Sequence, residues 1–232
     1  YFLSDSYQSI KNIDLNNISE KDKLYLLSFV GRFFSNNTIG IGDSYSGAYN
    51  YYEVAMISTS LLAGISIIYL LQTKYKKRVW IVTGMSVVSL LFPIVTYMFD
   101  FDMRKQRWTF MLCFLAVVAI GYFLQDFFEK KINEKQLVQT VLITDFIYAF
   151  MAGVLVFAHY KSWIDLDGGV CKTIVIILLI YNAFFIGTVR IKDLRYRSIL
   201  VGILFVEIIV MNYPTINERS LISVSDWESS FY

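Results

Sequence analysis

Three cations and an indole stand together in Arg104-Lys105-Gln106-Arg107-Trp108, where a long apolar run begins. An arginine beside a tryptophan at such a point can hold a lipid phosphate with both arms of its guanidinium, while the indole sits among the head groups. The same residues also suit an interfacial aromatic belt, with Asp100 and Asp102 as counter-ions. Asp145, His159 and Glu207 fall within or at the end of other apolar runs. An ionisable side chain in such surroundings is costly, and it points first to a function. Asp145 is deep enough to accept hydrogen bonds from Ser, Thr or Tyr on a neighbouring helix. His159 and Glu207 lie toward one common side, where they could share an aqueous cleft; an interfacial histidine and a glutamate paired with an arginine are the structural alternatives. Asp43 belongs to the Gly- and Ser-rich segment from Asn36 to Gly47, which leads into Tyr49, Tyr51 and Tyr52, whose rings offer stacking surfaces.

Other chemistries lack their residues. Cys113 and Cys171 are far apart inside apolar runs, so there is neither a disulfide framework nor a metal-knuckle spacing. No His/Glu/Cys cluster has metal-site spacing, and no serine sits in a nucleophile elbow. Gly40, Gly42 and Gly47 do not follow a strand in a βαβ unit, which argues against a nucleotide-phosphate loop. No cofactor is expected, and a divalent metal requirement stays open. The net charge of +2 is too small, and the basic residues too scattered, for a nucleic-acid partner.

These residues need a scaffold, and composition identifies it. Of 232 residues, 56% are apolar and only 17% charged, against about 45–50% and about 25% in soluble domains. Such a chain has too little polar surface to wrap its own core, and its mean hydropathy of +0.51 agrees. It reads as a membrane protein. Six apolar stretches can be marked: 54–71, 79–99, 108–124, 137–160, 170–189 and 198–211, the last extendable to Tyr213 with Pro214 as its stop. A spanning helix needs about 20 residues. Residues 1–51 form a leader, residues 52–213 the helix bundle, and residues 214–232 the start of an extracytoplasmic region. In the leader, Ser19 with Asp22 predicts a capping box, and Leu26, Phe29, Val30, Phe33 and Phe34 predict an amphipathic helix over 20–34. That helix would lie in the membrane interface or pack against the bundle or a neighbouring domain. No signal peptide with a cleavage site follows Tyr1, so the natural start is expected to lie upstream.

Lysines and arginines set the orientation. The loops at 74–78, 130–135 and 190–197 hold eleven, and the alternate loops hold four: Arg104, Lys105, Arg107 and Lys161. The first set is therefore expected in the cytoplasm, and the leader, with the loops at 100–107 and 161–169, outside.

Tyr51-Tyr52 opening one span, Arg107-Trp108-Thr109-Phe110 opening a later one, and Glu207 with Asn212, Asn217 and Arg219 closing the last occur in the order found in the YfhO family of bacterial polytopic membrane proteins, which the chain resembles from about 50 to 219. The segment before Arg107 departs from it, reading Phe99-Asp100-Phe101-Asp102 where a His-Gly-aromatic pattern is commoner. The resemblance implies an all-α polytopic bundle of the GT-C type in a bacterial plasma membrane, with its active face outward. It also implies a glycosyltransferase that uses a polyprenyl-phosphate-linked sugar on a cell-envelope acceptor such as teichoic acid. Arg104, Lys105 and Arg107 would then meet the donor phosphate, and Tyr49, Tyr51, Tyr52 and Trp108 the sugar or prenyl chain. The family's usual catalytic carboxylate lies in the first outward loop, expected upstream of this sequence, so the resemblance leaves the catalytic base unassigned here and offers Asp43 and Glu207 as candidates only. A lipid or polysaccharide transporter, supported by Asp145 and Glu207, and a non-catalytic scaffold subunit are the rival readings.

Overall fold

The structure is a computed structural model that describes residues 18–47, 59–91, 107–191 and 194–217. Seven α-helices and no strand occur among these residues. They are α1 (Ile18–Phe34), α2 (Leu62–Leu71), α3 (Lys76–Leu91), α4 (Phe110–Phe128), α5 (Glu134–Tyr160), α6 (Gly168–Arg190) and α7 (Leu194–Asn217). Short 3-10 turns stand at Gly42–Ser44 and Arg107–Thr109.

Helices α4 to α7 are long and apolar enough to cross a membrane. At 1.5 Å per residue, even the 19 residues of α4 reach about 28 Å, close to the hydrocarbon thickness of about 30 Å. Their outer faces carry exposed large hydrophobics, among them Phe114, Phe146, Phe150, Phe205 and Ile209. Water would not tolerate so continuous an apolar surface, whereas lipid tails do. The molecule is a membrane-embedded helical protein. Four buried hydroxyls follow the same logic: Ser66, Thr140, Thr144 and Thr188 each donate to the carbonyl four residues earlier, so none of these four is stranded in an apolar medium.

Four local expectations change. Within the run expected to span 54–71, residues 59–61 are not helical and α2 begins at Leu62, while 54–58 lie outside the described residues. Pro214 does not stop the last helix, which continues to Asn217; a proline so near the end forfeits only one intrahelical bond. Ser19 lies inside α1 rather than capping it, because the helix begins at Ile18. The buried stripe of α1 also differs from the expected one. Leu26 is exposed, while Leu27, Ser28, Gly31, Arg32 and Phe34 are buried, and the helix packs on α5, with Phe33 and Phe34 ringing Tyr148. Helix α3 ends its description at Leu91, so the remainder of the expected 79–99 span is outside it.

The short helix α2 occupies the centre, in contact with α3, α4 and α5. Around it α6 packs on α5 and α7, and α4 reaches α7. Below α2 an aromatic column fills the core: Tyr69 meets Phe123, which stacks on Phe127, and Phe127 meets Phe184 and Phe185 at centroid distances of 5.5–6.2 Å. The chain ends sort to two sides. Ser46 bonds Asp165, Thr38 accepts from Asp167 N–H, and Asn37 bonds Thr215, so the leader loop, the α5–α6 loop and the end of α7 share one side. Arg197 donates to the Phe127 carbonyl at the opposite side, where the Lys/Arg-rich loops gather.

Candidate functional site

A central helix that starts inside a bundle leaves its first N–H groups in need of partners. Here each of the first three has one. Leu61 N–H donates to Glu207 Oε1 at 2.6 Å, Leu62 N–H to Ser60 Oγ at 3.0 Å, and Ala63 N–H to the Ser60 carbonyl at 3.0 Å. Glu207 comes from the middle of α7 and is 2% exposed. Its Oε2 accepts from Ser60 Oγ at 2.5 Å and from the Tyr181 hydroxyl of α6 at 2.6 Å. The Leu61 carbonyl accepts from the Tyr148 hydroxyl of α5 at 2.7 Å. Four helices thus meet at one carboxyl group and one helix end. All three described partners of Glu207 are donors, and the positive end of the α2 dipole adds to the attraction.

The arrangement depends on Gly64. A β-carbon there would collide with the Tyr148 hydroxyl, so only glycine lets the α5 tyrosine reach the α2 end. Beside Glu207 is a small hollow of about 20 Å³, bordered by Asn36, Thr59 and Ser60. It admits one water-sized group, and the buried Asn36 Oδ1 and Thr59 Oγ1 have no hydrogen-bond partner.

The leader loop closes over this end. Gly40, at φ +100°, adopts a backbone that a side chain resists, and the Ser44 carbonyl occupies the space a β-carbon would need. Ile39 is fully buried and Asn37 bridges to α7, with Nδ2 2.8 Å from Thr215 Oγ1. The loop is therefore packed as structure. Asp43 lies in the turn Gly42–Ser44, and its side chain is outside the description.

A larger cavity of about 460 Å³ runs between α2, α3 and α4, with Phe29 and Phe33 of α1 also in its wall. Its walls are apolar from Val79 to Leu90 on α3 and from Leu112 to Tyr122 on α4, with Thr59 and Ser60 at the leader end and Arg78 at the other. The turn Arg107–Thr109 leads directly into α4, whose first turns line this cavity.

The expected site residues divide accordingly. Glu207 is enclosed by donors instead of facing a cleft with His159. His159 is half exposed, with Nδ1 3.1 Å from the Ile164 carbonyl and 3.9 Å from Asp165, where it braces the α5–α6 loop. Asp145 accepts a hydrogen bond from Asn182 of α6, a partner type the sequence reading did not name. Trp108 is buried at 6% exposure. Tyr49, Tyr51, Tyr52, Arg104 and Lys105 lie outside the described residues, as does the Arg107 side chain. No group of three or more His, Cys, Asp or Glu that could hold a metal occurs among the described residues. Ser60, Tyr148, Tyr181 and Gly64 were not singled out from sequence. A carboxylate in a span announces that donors must exist, but not which helices supply them.

Comparison with protein-family models, with curated proteins and with solved structures returns no match.

Proposed function

We propose that the protein is a membrane glycosyltransferase that moves a sugar from a polyprenyl-phosphate donor to a cell-envelope acceptor on the leader side of a bacterial plasma membrane. The observation that carries this reading is the apolar cavity between α1, α2, α3 and α4. It is a slot for a lipid chain, and the turn bearing Arg107 opens the helix that forms one wall. A chain lying in it would place a phosphate near that turn, where Arg107, with Arg104 and Lys105, would hold it bidentately. Developing charge on the departing phosphate is then stabilised by fixed cations. Glu207 is committed to the end of α2 and acts as a positioning residue. Asp43, in the turn Gly42–Ser44 of the leader loop, is the other candidate for activating the acceptor hydroxyl.

Sugar transfer from a polyprenyl-phosphate donor, measured in vesicles with the full-length protein, tests this. Arg107→Ala is expected to lower transfer by about a hundredfold, the usual loss for one donor to a developing anion, with folded yield unchanged. Arg107→Lys should recover part of it, since a point charge cannot reproduce a fork. Undiminished transfer in Arg107→Ala overturns the phosphate role.

One observation favours a transporter or flippase instead. Interrupted helices with charged groups at their ends are the binding elements of many transporters, and α2 begins after a non-helical stretch with Glu207 at its N-terminus. Leaflet exchange of the donor lipid in the same vesicles, without any sugar transfer, would select that reading.

A further inference from the structure

Opposite the leader side, the ends of α4, α5, α6 and α7 enclose a groove of about 640 Å³. Its cations are Lys130, Lys135 and Arg197, and its single carboxylate is Glu134. Lys131, although adjacent, is occupied: it pairs with Glu129 and lies 3.5 Å from Asp126. That pairing, with help from Gln125, holds the Glu129 carboxyl below the usual carboxylate range. Arg197 is held in place by its bond to the Phe127 carbonyl, with its guanidinium 4.8 Å above the Phe127 ring. Its buried Nε has no partner. The N-terminus of α5, capped by Asn133, opens into the same groove and adds positive potential.

From Glu134 and Lys135 the groove continues into a shallow apolar strip on α5 formed by Val138, Leu142 and Ile143. Val138 and Leu142 are exposed on the face that meets lipid. A basic pocket at a helix end followed by an apolar strip along the span has the layout of a phospholipid: head group first, acyl chain second. We infer that this groove is a binding site for one anionic phospholipid, its phosphate held by Lys130, Lys135 and Arg197 and one acyl chain laid along Val138 and Leu142. The charge of the lining selects an anionic over a zwitterionic head group. The strip selects a lipid over a free phosphate, which would gain nothing from it. This site lies at the other end of the bundle from the proposed transfer chemistry and does not depend on it.

Native mass spectrometry of the delipidated full chain in detergent, titrated with phosphatidylglycerol, phosphatidylcholine or inorganic phosphate, tests the inference. Wild type is expected to retain one phosphatidylglycerol, with phosphatidylcholine bound at least tenfold more weakly. Both lysines are exposed, so K130E/K135E should keep the wild-type melting temperature and lose phosphatidylglycerol retention at least tenfold. A bulky Leu142→Trp change should weaken the lipid and leave inorganic phosphate unaffected. Equal retention by K130E/K135E, equal retention of the zwitterionic lipid, or full displacement by equimolar inorganic phosphate each overturns the site.

Discussion

Glu207 shows what a single carboxyl group can do in a bundle of this kind. Moving it out of water is expensive, and three donors within 2.6 Å offset that cost. The sequence made the residue conspicuous, because a glutamate in an apolar run demands an explanation. It could not show that the explanation is a helix end, because Ser60, Tyr181 and Glu207 are separated by up to 147 positions. Removing part of the cluster is expected to cost stability more than chemistry. Tyr181→Phe deletes one bond to the carboxyl group and should destabilise by about 1.5–3 kcal/mol. Glu207→Gln keeps the shape but turns an amide donor toward other donors, with an expected cost of about 1–3 kcal/mol for the buried group left unpaired. Thermal unfolding of the purified variants in one detergent measures both. Wild-type melting of Glu207→Gln would mean that the carboxyl group does not organise α2.

Helices were legible where their signal is local and long. The spans of α4, α5 and α6 fall within a few residues of the apolar runs because composition and helix length coincide there. The start of the central α2 was misjudged, since an apolar run gives no sign that residues 59–61 within it are not helical. The burial of Trp108 was not legible for a related reason: an aromatic residue at the head of a run suits an interface or a core equally well, and only packing decides. Helix boundaries are set by short-range caps. Asn133 accepts from Gln136 N–H at 2.7 Å and Asp167 from Val170 N–H at 2.8 Å. Asn133→Ala and Asp167→Ala should each cost about 1 kcal/mol. Asp167 also donates its own N–H to Thr38, so hydrogen exchange should show the leader loop loosening in Asp167→Ala and not in Asn133→Ala. Identical leader-loop protection in the two variants would deny that the cap is coupled to the loop.

At the scale of the whole molecule, the bundle has two ends of different chemistry joined by a lipid-facing surface. One end gathers the leader loop, the start of α2 and the turn that opens α4; the other gathers Lys130, Lys135 and Arg197. That sorting was readable from the order of the apolar runs, since successive loops between spans must alternate in side. The cavity was not readable, because its wall is assembled from four helices whose apolar residues look no different in sequence from those facing lipid. Its proposed occupant is the central claim. The most direct measurement is photo-crosslinking of a polyprenyl phosphate with a diazirine in its chain to the full-length protein in vesicles, followed by peptide mapping. Label is expected on cavity residues such as Val82, Val87 and Leu115, with competition by unlabelled polyprenyl phosphate. Label confined to outer-face residues such as Phe146, Phe150 and Ile209, with none in the cavity, would contradict a polyprenyl-phosphate donor site there.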